Sequence, residues 1–135
     1  MSYSIDDIEG VGPARKAKFN EAGVKTTADL LEKGATPAGR KALAEATGID
    51  GKTLLTLTNQ ADLMRIKGVA GQWAELLQAS GVDTVKELRN RNAANLAKKM
   101  EEVNAEKNLT NGEISEKRVT AWVEEAKGMD PILSY

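Results

Sequence analysis

The sequence predicts an all-α protein made of two packed helical units, and three features carry the prediction. Ala, Leu, Lys and Glu dominate the 135 residues, while β-branched and aromatic clusters are sparse, a balance that favours helix over strand. Helix caps and stop signals recur along the chain every few turns, as a series of short helices requires. A stretch near the beginning repeats without gaps in the second half, the mark of a duplicated unit.

The elements follow in order. Ser4 with Asp7 caps a short first helix reaching about Glu9. Pro13 suits the first turn of a second helix, where its missing N–H is harmless. Gly23 takes the left-handed conformation just past that helix, with Val24 as the apolar residue after it. Thr26 with Asp29 resembles a capping box, and Thr84 with Glu87 fits one better. Thr36-Pro37 starts another helix that Gly48 ends, and a helix near Lys52 to Gln60 closes the unit. The last helix shows Val119, Trp122, Val123 and Ala126, an i, i+3, i+4, i+7 stripe with Trp122 as a core anchor.

Ile8 to Leu30 aligns on Ile66 to Leu88 at an offset of 58. The shared residues are the turn glycines (Gly10/Gly68, Gly23/Gly81), the apolar residues around them (Ile8/Ile66, Val11/Val69, Val24/Val82, Leu30/Leu88) and the cap Thr26/Thr84. Ile49 to Ala61 resembles Ile114 to Ala126, with an insertion around Ala105 to Glu113. Two units follow, 1–60 and 61–135, with the boundary near Asn59 to Asp62. Each is close to the lower size limit for an independent core, so the two are expected to pack together.

The segment Ile8-Glu9-Gly10-Val11-Gly12-Pro13-Ala14, with Ala22-Gly23-Val24-Lys25-Thr26 after it, resembles the helix-hairpin-helix motif. Similar motifs occur in bacterial DNA ligases, excision-repair nucleases and a Holliday-junction-binding protein, where the hairpin amides touch duplex phosphates. The fuller pattern, with "GVKTTADLL" and "ALAEATGIDGKTLLTL", is also similar to protein-binding acidic repeats at the C-terminus of a bacterial transcription elongation factor. Nearly the whole chain resembles a bacterial family of tandem helix-hairpin-helix proteins known as a domain of unknown function. The resemblance implies two tandem helix-hairpin-helix units in one compact helical protein.

The chemistry of such a turn is an exposed main chain. Glycine leaves its N–H uncovered and permits positive φ. Successive bare amides make a concave anion site, to which the next helix N-terminus adds positive potential. The proposed phosphate contacts are the amides of Gly10, Val11 and Gly12, with Arg15, Lys16 and Lys18 adding charge. Lys67, Gly68 and Val69 form a weaker second contact. The alternative is that the glycines merely turn the chain between packed helices.

The two turns differ. Trp73, Ala74 and Leu76 stand where the first unit has Arg15, Lys16 and Lys18, so the second helix is expected to be the more buried. Ala70 replaces Gly12, a cost if that position needs φ > 0, unless Gly71 takes the role over. Arg65 and Lys67 are the best cations at the second turn. Lys16 replaces a small apolar residue usual in related hairpins, so its helix is expected to pack loosely or to present a more charged face.

Composition limits the partners. The net charge is -1, with eight basic and eight acidic residues in 1–60 and eleven and twelve in 61–135, so overall charge does not hold this protein on DNA. Lys86, Arg89, Arg91, Lys98 and Lys99 face only Glu87, a basic run that either touches a phosphate backbone or is a solvated face. The stretch Glu101 to Asp130 has eight acidic and four basic residues and suits a basic protein partner. With five aromatics, a base-stacking platform is not expected.

The absence of Cys and His removes disulfides, thiolate sites and the commonest general base and metal ligand. The adjacent carboxylates Asp6/Asp7, Glu101/Glu102 and Glu124/Glu125 do not face one another across a cleft. No catalytic residue, metal, cofactor or small-molecule substrate is expected. With no signal-peptide pattern and no membrane span, a cytoplasmic protein is expected. Two functions remain: sequence-independent binding to a nucleic-acid backbone, or a protein-interaction module with its surface around Trp73 and the acidic C-terminal unit.

Overall fold

The structure is a computed structural model that describes residues 2–135. It is all-helical: after a single 3-10 turn at Ile5–Asp7 come α1 (Pro13–Glu21), α2 (Thr27–Gly34), α3 (Pro37–Thr47), α4 (Gly51–Leu63), α5 (Gly71–Ala79), α6 (Val85–Leu88), α7 (Ala93–Lys107) and α8 (Glu116–Lys127). Extended pairing among the described residues is limited to an isolated antiparallel bridge between Ser4 and Thr26.

The two halves match helix for helix, α1–α4 against α5–α8, and the glycines set the same geometry in each. Gly23 (φ 83°) and Gly81 (φ 96°) reverse the chain after α1 and α5. The next residue then bonds back into the helix, Val24 N to Phe19 O at 2.8 Å and Val82 N to Leu77 O at 2.9 Å. Thr26 Oγ1 accepts from Asp29 N, and Asp29 Oδ2 accepts from Thr26 N, each at 3.1 Å. This is a reciprocal capping box. In the second half Thr84 Oγ1 accepts from Glu87 N at 3.3 Å, but the carboxylate reaches Asp83 N instead. Thr26, expected to be the poorer fit, therefore makes the fuller box. Ser4 makes half of its expected cap: its amide donates to Asp7 Oδ2 at 3.1 Å, while its hydroxyl donates to Asp6.

The boundary expected at residues 59–62 lies inside α4, which carries the chain from one half into the other without a linker. Leu57 to Met64 are all buried, including Thr58, Asn59, Gln60 and Asp62. Buried polar groups need partners. Asp62 Oδ1 accepts from Arg65 Nε at 2.9 Å, and its Oδ2 accepts from Val85 N at 2.9 Å. The Arg65 guanidinium also donates to Asp130 O at 3.2 Å. Arg65, expected with Lys67 as one of the best cations at the second turn, is therefore engaged in joining α4 to the chain end.

Residues 128–135 strap the second half onto the first. Ser134 N donates to Ala35 O at 2.8 Å, Arg40 donates to Ser134 O at 2.7 Å, and the Tyr135 hydroxyl donates to Asn59 Oδ1 at 2.7 Å. Burial first, then the nearby Asp62 carboxylate, pushes the Tyr135 phenol up to about 12. Among the described residues no helix is long and apolar enough to cross a membrane.

Candidate anion-contact site

The first turn joins the 3-10 segment to α1. Gly10 has φ 96°, the left-handed region that favours glycine. Gly12 has φ -85° and ψ -175°, ordinary extended backbone, and is the N-cap of α1 with Pro13 as the first helical residue. The positive φ thus falls at the first glycine alone. Ala70, at the position of Gly12, has nearly the same angles (φ -89°, ψ -175°), so the strain expected there does not arise. Gly71 does not take up a positive φ either. It is small for another reason: a Cβ on Gly71 would lie 2.2 Å from Asp7 O, where the halves approach backbone to backbone.

Among the described residues nothing accepts from the amides of Gly10 and Gly12. No side chain caps α1, whose first-turn amides are therefore also open. Open space surrounds the Gly12 Cα: a Cβ added there would meet nothing within 4 Å. Val11 does not belong with these donors: its amide donates to Ile8 O at 3.1 Å, and its side chain is buried. An inward-facing apolar residue between two glycines closes the turn internally, and its amide goes with it.

Of the three expected cations, Arg15 lies at the turn, donating from Nη1 to Gly10 O at 2.8 Å. Lys16 is paired with Asp6 at 3.3 Å. The Asp6 carboxyl is held below its usual value, first by the Ser4 hydroxyl and with a contribution from Lys16. Lys18 is exposed in the last turn of α1. That helix buries only Phe19 fully, in line with its charged sequence.

The second turn has the same skeleton, Gly68 at φ 86° and Val69 N donating to Ile66 O at 3.1 Å. Val69 is buried and, like Val11, has no amide to offer. Lys67 N donates to Glu125 Oε2 at 3.0 Å, so this expected contact is already made by a carboxylate of the protein. Trp73 is half-buried, edge-on to Trp122 with centroids 5.3 Å apart, and lies under the Arg118 guanidinium. Trp122 is the expected core anchor, 4% exposed.

Each turn borders an open concavity, walled at the first turn by α4 and by α5 of the other half, and at the second by α8. In the first it measures about 600 Å³ and is lined by Glu9, Gly10, Lys52, Gln60, Glu75 and Asp83 among others. Burial, and then the charge of Glu9, raise the Glu75 carboxyl above its usual value. In the second it measures about 550 Å³, with Lys67, Lys117 and Arg118 against Glu125. No sequence signal points to these clefts, because the turn and the last helix lie some 50 residues apart in each half. Among the described residues no group of three or more His, Cys, Asp or Glu side chains is placed to hold a metal ion.

An all-helical chain of duplicated glycine turns is the class that fold and site define. Residues 9–129 match the family described as a domain of unknown function, DUF4332, and the chain belongs to that family. No curated protein and no solved structure matches the chain.

Proposed function

We propose that this is a non-enzymatic, bacterial cytoplasmic module of tandem helix-hairpin-helix units that contacts the phosphate backbone of nucleic acid, duplex DNA foremost, through its first turn. One observation carries the proposal: the amides of Gly10 and Gly12 lack partners beside an uncapped helix N-terminus, with an arginine held at the same turn. Bare amides and the positive end of a helix suit a phosphate oxygen. Contacts of this kind set position and carry no base information. Arg15 and Lys18 add charge, and Lys16 does so on leaving Asp6. Three carboxylates, Glu9, Glu75 and Asp83, line the concavity on one side of the turn. A phosphate therefore approaches over Gly12 and Arg15.

The test is a salt titration with a labelled duplex of mixed sequence. Binding should be weak, with Kd of about 10⁻⁴ to 10⁻⁶ M near physiological salt, and should fall steeply as salt rises. Gly12→Val should weaken it several-fold while helicity is kept, because the position is open and its φ suits any residue. No binding at low salt overturns the proposal, and normal binding by the variant removes the turn from it.

A second reading, a protein-interaction module for a basic partner, is favoured by a different surface. Glu101, Glu102, Glu106 and Glu116 on α7 and α8 are exposed, and among the described residues none of them is ion-paired. A pull-down in which reversing these four charges abolishes capture of a partner supports this reading, and capture that survives the reversal counts against it.

A further inference from the structure

The second turn offers the same main chain as the first but with one amide already on an anion. Lys67 N donates to Glu125 Oε2 at 3.0 Å, while among the described residues nothing accepts from the neighbouring Gly68 amide. Around this contact lie three cations. Lys67 and Lys117 are exposed and in no ion pair among the described residues. Arg118 is positioned by Glu113 O, which accepts from its Nη1 at 3.1 Å, and by the Trp73 ring, 5.0 Å from its guanidinium carbon. All three line one concavity with Ser115, Trp122 and Glu125. A single carboxylate thus faces three positive charges at a main-chain donor.

The first half shows that this carboxylate is not needed to build the fold. By the alignment of Ile49–Ala61 on Ile114–Ala126, Gln60 stands where Glu125 stands, and Glu9 where Lys67 stands. There the turn has the same backbone, with Gly10 at φ 96° and Gly68 at φ 86°. Gln60 donates from Nε2 to Gln78 Oε1 at 3.1 Å, and among the described residues its own Oε1 has no partner and the Glu9 amide donates no bond to it. The turn therefore holds its shape without a side-chain oxygen on that amide, and Glu125 is free to leave Lys67 without unfolding the second half. Its exposure makes the departure inexpensive, because a solvated carboxylate regains water when it swings out.

We propose that the cleft of the second half is a phosphate site closed in cis by Glu125. The carboxylate holds the place of a phosphate oxygen on the Lys67 amide. A backbone phosphate of the nucleic acid displaces it and sits on the Lys67 and Gly68 amides among Lys67, Lys117 and Arg118. This rests on the nucleic-acid proposal for its ligand, but the site itself is tested separately. The protein thus has one open contact and one that opens on demand, and so binds more weakly than two open turns would.

Two measurements test it on the full chain, with Glu125→Ala and, as the charge-matched control, Glu124→Ala, whose carboxylate pairs with Lys127 at 2.9 Å. In the first, inorganic phosphate is titrated while the Lys67 and Gly68 amide resonances are followed. Glu125→Ala should show saturable shifts at both, and Glu124→Ala and wild type should show at most weak ones. Unmoved amides in Glu125→Ala overturn the proposal whatever the duplex does. In the second, duplex affinity at low salt should rise several-fold for Glu125→Ala relative to Glu124→Ala and wild type, because no carboxylate has to be displaced from the Lys67 amide. Affinities that agree for the two variants, with wild type binding and Gly12→Val weakened, overturn the second site and leave the first-turn proposal standing. Phosphate shifts in Glu125→Ala without duplex binding by any form would retain an anion site but overturn its nucleic-acid ligand. Glu125→Gln is the companion variant. Retained acceptor with lost charge should give an intermediate affinity, and an affinity equal to that of Glu125→Ala would assign closure to charge alone.

Discussion

The two halves use one backbone for two purposes. Their turns agree within about ten degrees at the glycine that needs positive φ, and their extended N-cap residues are nearly superposable in angle although one is Gly12 and the other Ala70. What separates them is which side chains follow. α1 carries Arg15, Lys16 and Lys18 and buries Phe19 alone, whereas α5 buries Gly71, Ala74, Leu76 and Leu77 at the interface with the rest of the core. Two small helical halves packed together must cover each other's apolar surface. Here α5 carries that burden, and α1 is left to carry charge. The backbone of the two turns is therefore shared, and the side chains that follow decide whether each helix is packed or charged.

Paired substitutions at equivalent positions sharpen this contrast. The largest expected difference is between Leu76→Ala and Lys18→Ala. Leu76 is 0% exposed, and its truncation should cost about 2–5 kcal/mol of unfolding free energy in urea. Lys18→Ala should stay within about 0.5 kcal/mol. Equal losses at the two positions would break the contrast between a packed and a charged helix.

Next is the helix-starting position of each half, Pro13 against Gly71. A Cβ at Gly71 meets Asp7 O of the other half at 2.2 Å, and a backbone atom yields less than a side-chain tip. Gly71→Ala should lower stability by about 1–3 kcal/mol. Pro13→Ala should change it by less than half of that. A thermal melt in which Gly71→Ala is silent would mean that the halves do not approach there.

The smallest effect concerns Glu75, where the first concavity gathers carboxylates. Its pKa is raised in the fold, so the folded state prefers the neutral acid, and the charge it carries at neutral pH opposes folding. The contribution is most favourable below the unfolded value of 4.5 and is lost as pH rises through the higher folded value. Glu75→Gln should therefore raise the melting temperature at pH 7, by an amount equivalent to about 0.5 kcal/mol or less. The gain should disappear on acidifying below 4.5. A gain that is the same at both pH values would assign it to packing instead of charge.

Much of the architecture is legible in the sequence because it is written in local signals. Gly23 and Gly48 end helices where left-handed residues are expected, Pro37 opens α3, and the stripe Val119, Trp122, Val123, Ala126 is buried as its period requires. Features that sequence reasoning misplaces depend on partners distant in the chain. Arg65 reads as a cation of the second turn, but Asp62 and the carbonyl of Asp130 hold it. The surroundings of Trp73 depend on the same kind of partner: it packs edge-on to Trp122 and against the loop at Gly112, where a Cβ would lie 2.5 Å from the ring. The site is legible in outline only. Glycines at 10 and 12 point to bare amides, but no pattern within a few residues could show that Val11 donates inward or that Glu125 reaches Lys67 across 58 positions.

The most direct measurement is amide by amide. In a ¹⁵N-labelled protein titrated with short mixed-sequence duplex at low salt, the Gly10 and Gly12 resonances should shift with saturation, while Val11 and Val69, whose amides face carbonyls of their own turns, stay in place. Added salt should return the glycine signals to their starting positions. Gly10 and Gly12 resonances that do not move at saturating duplex would contradict a phosphate contact at the first turn.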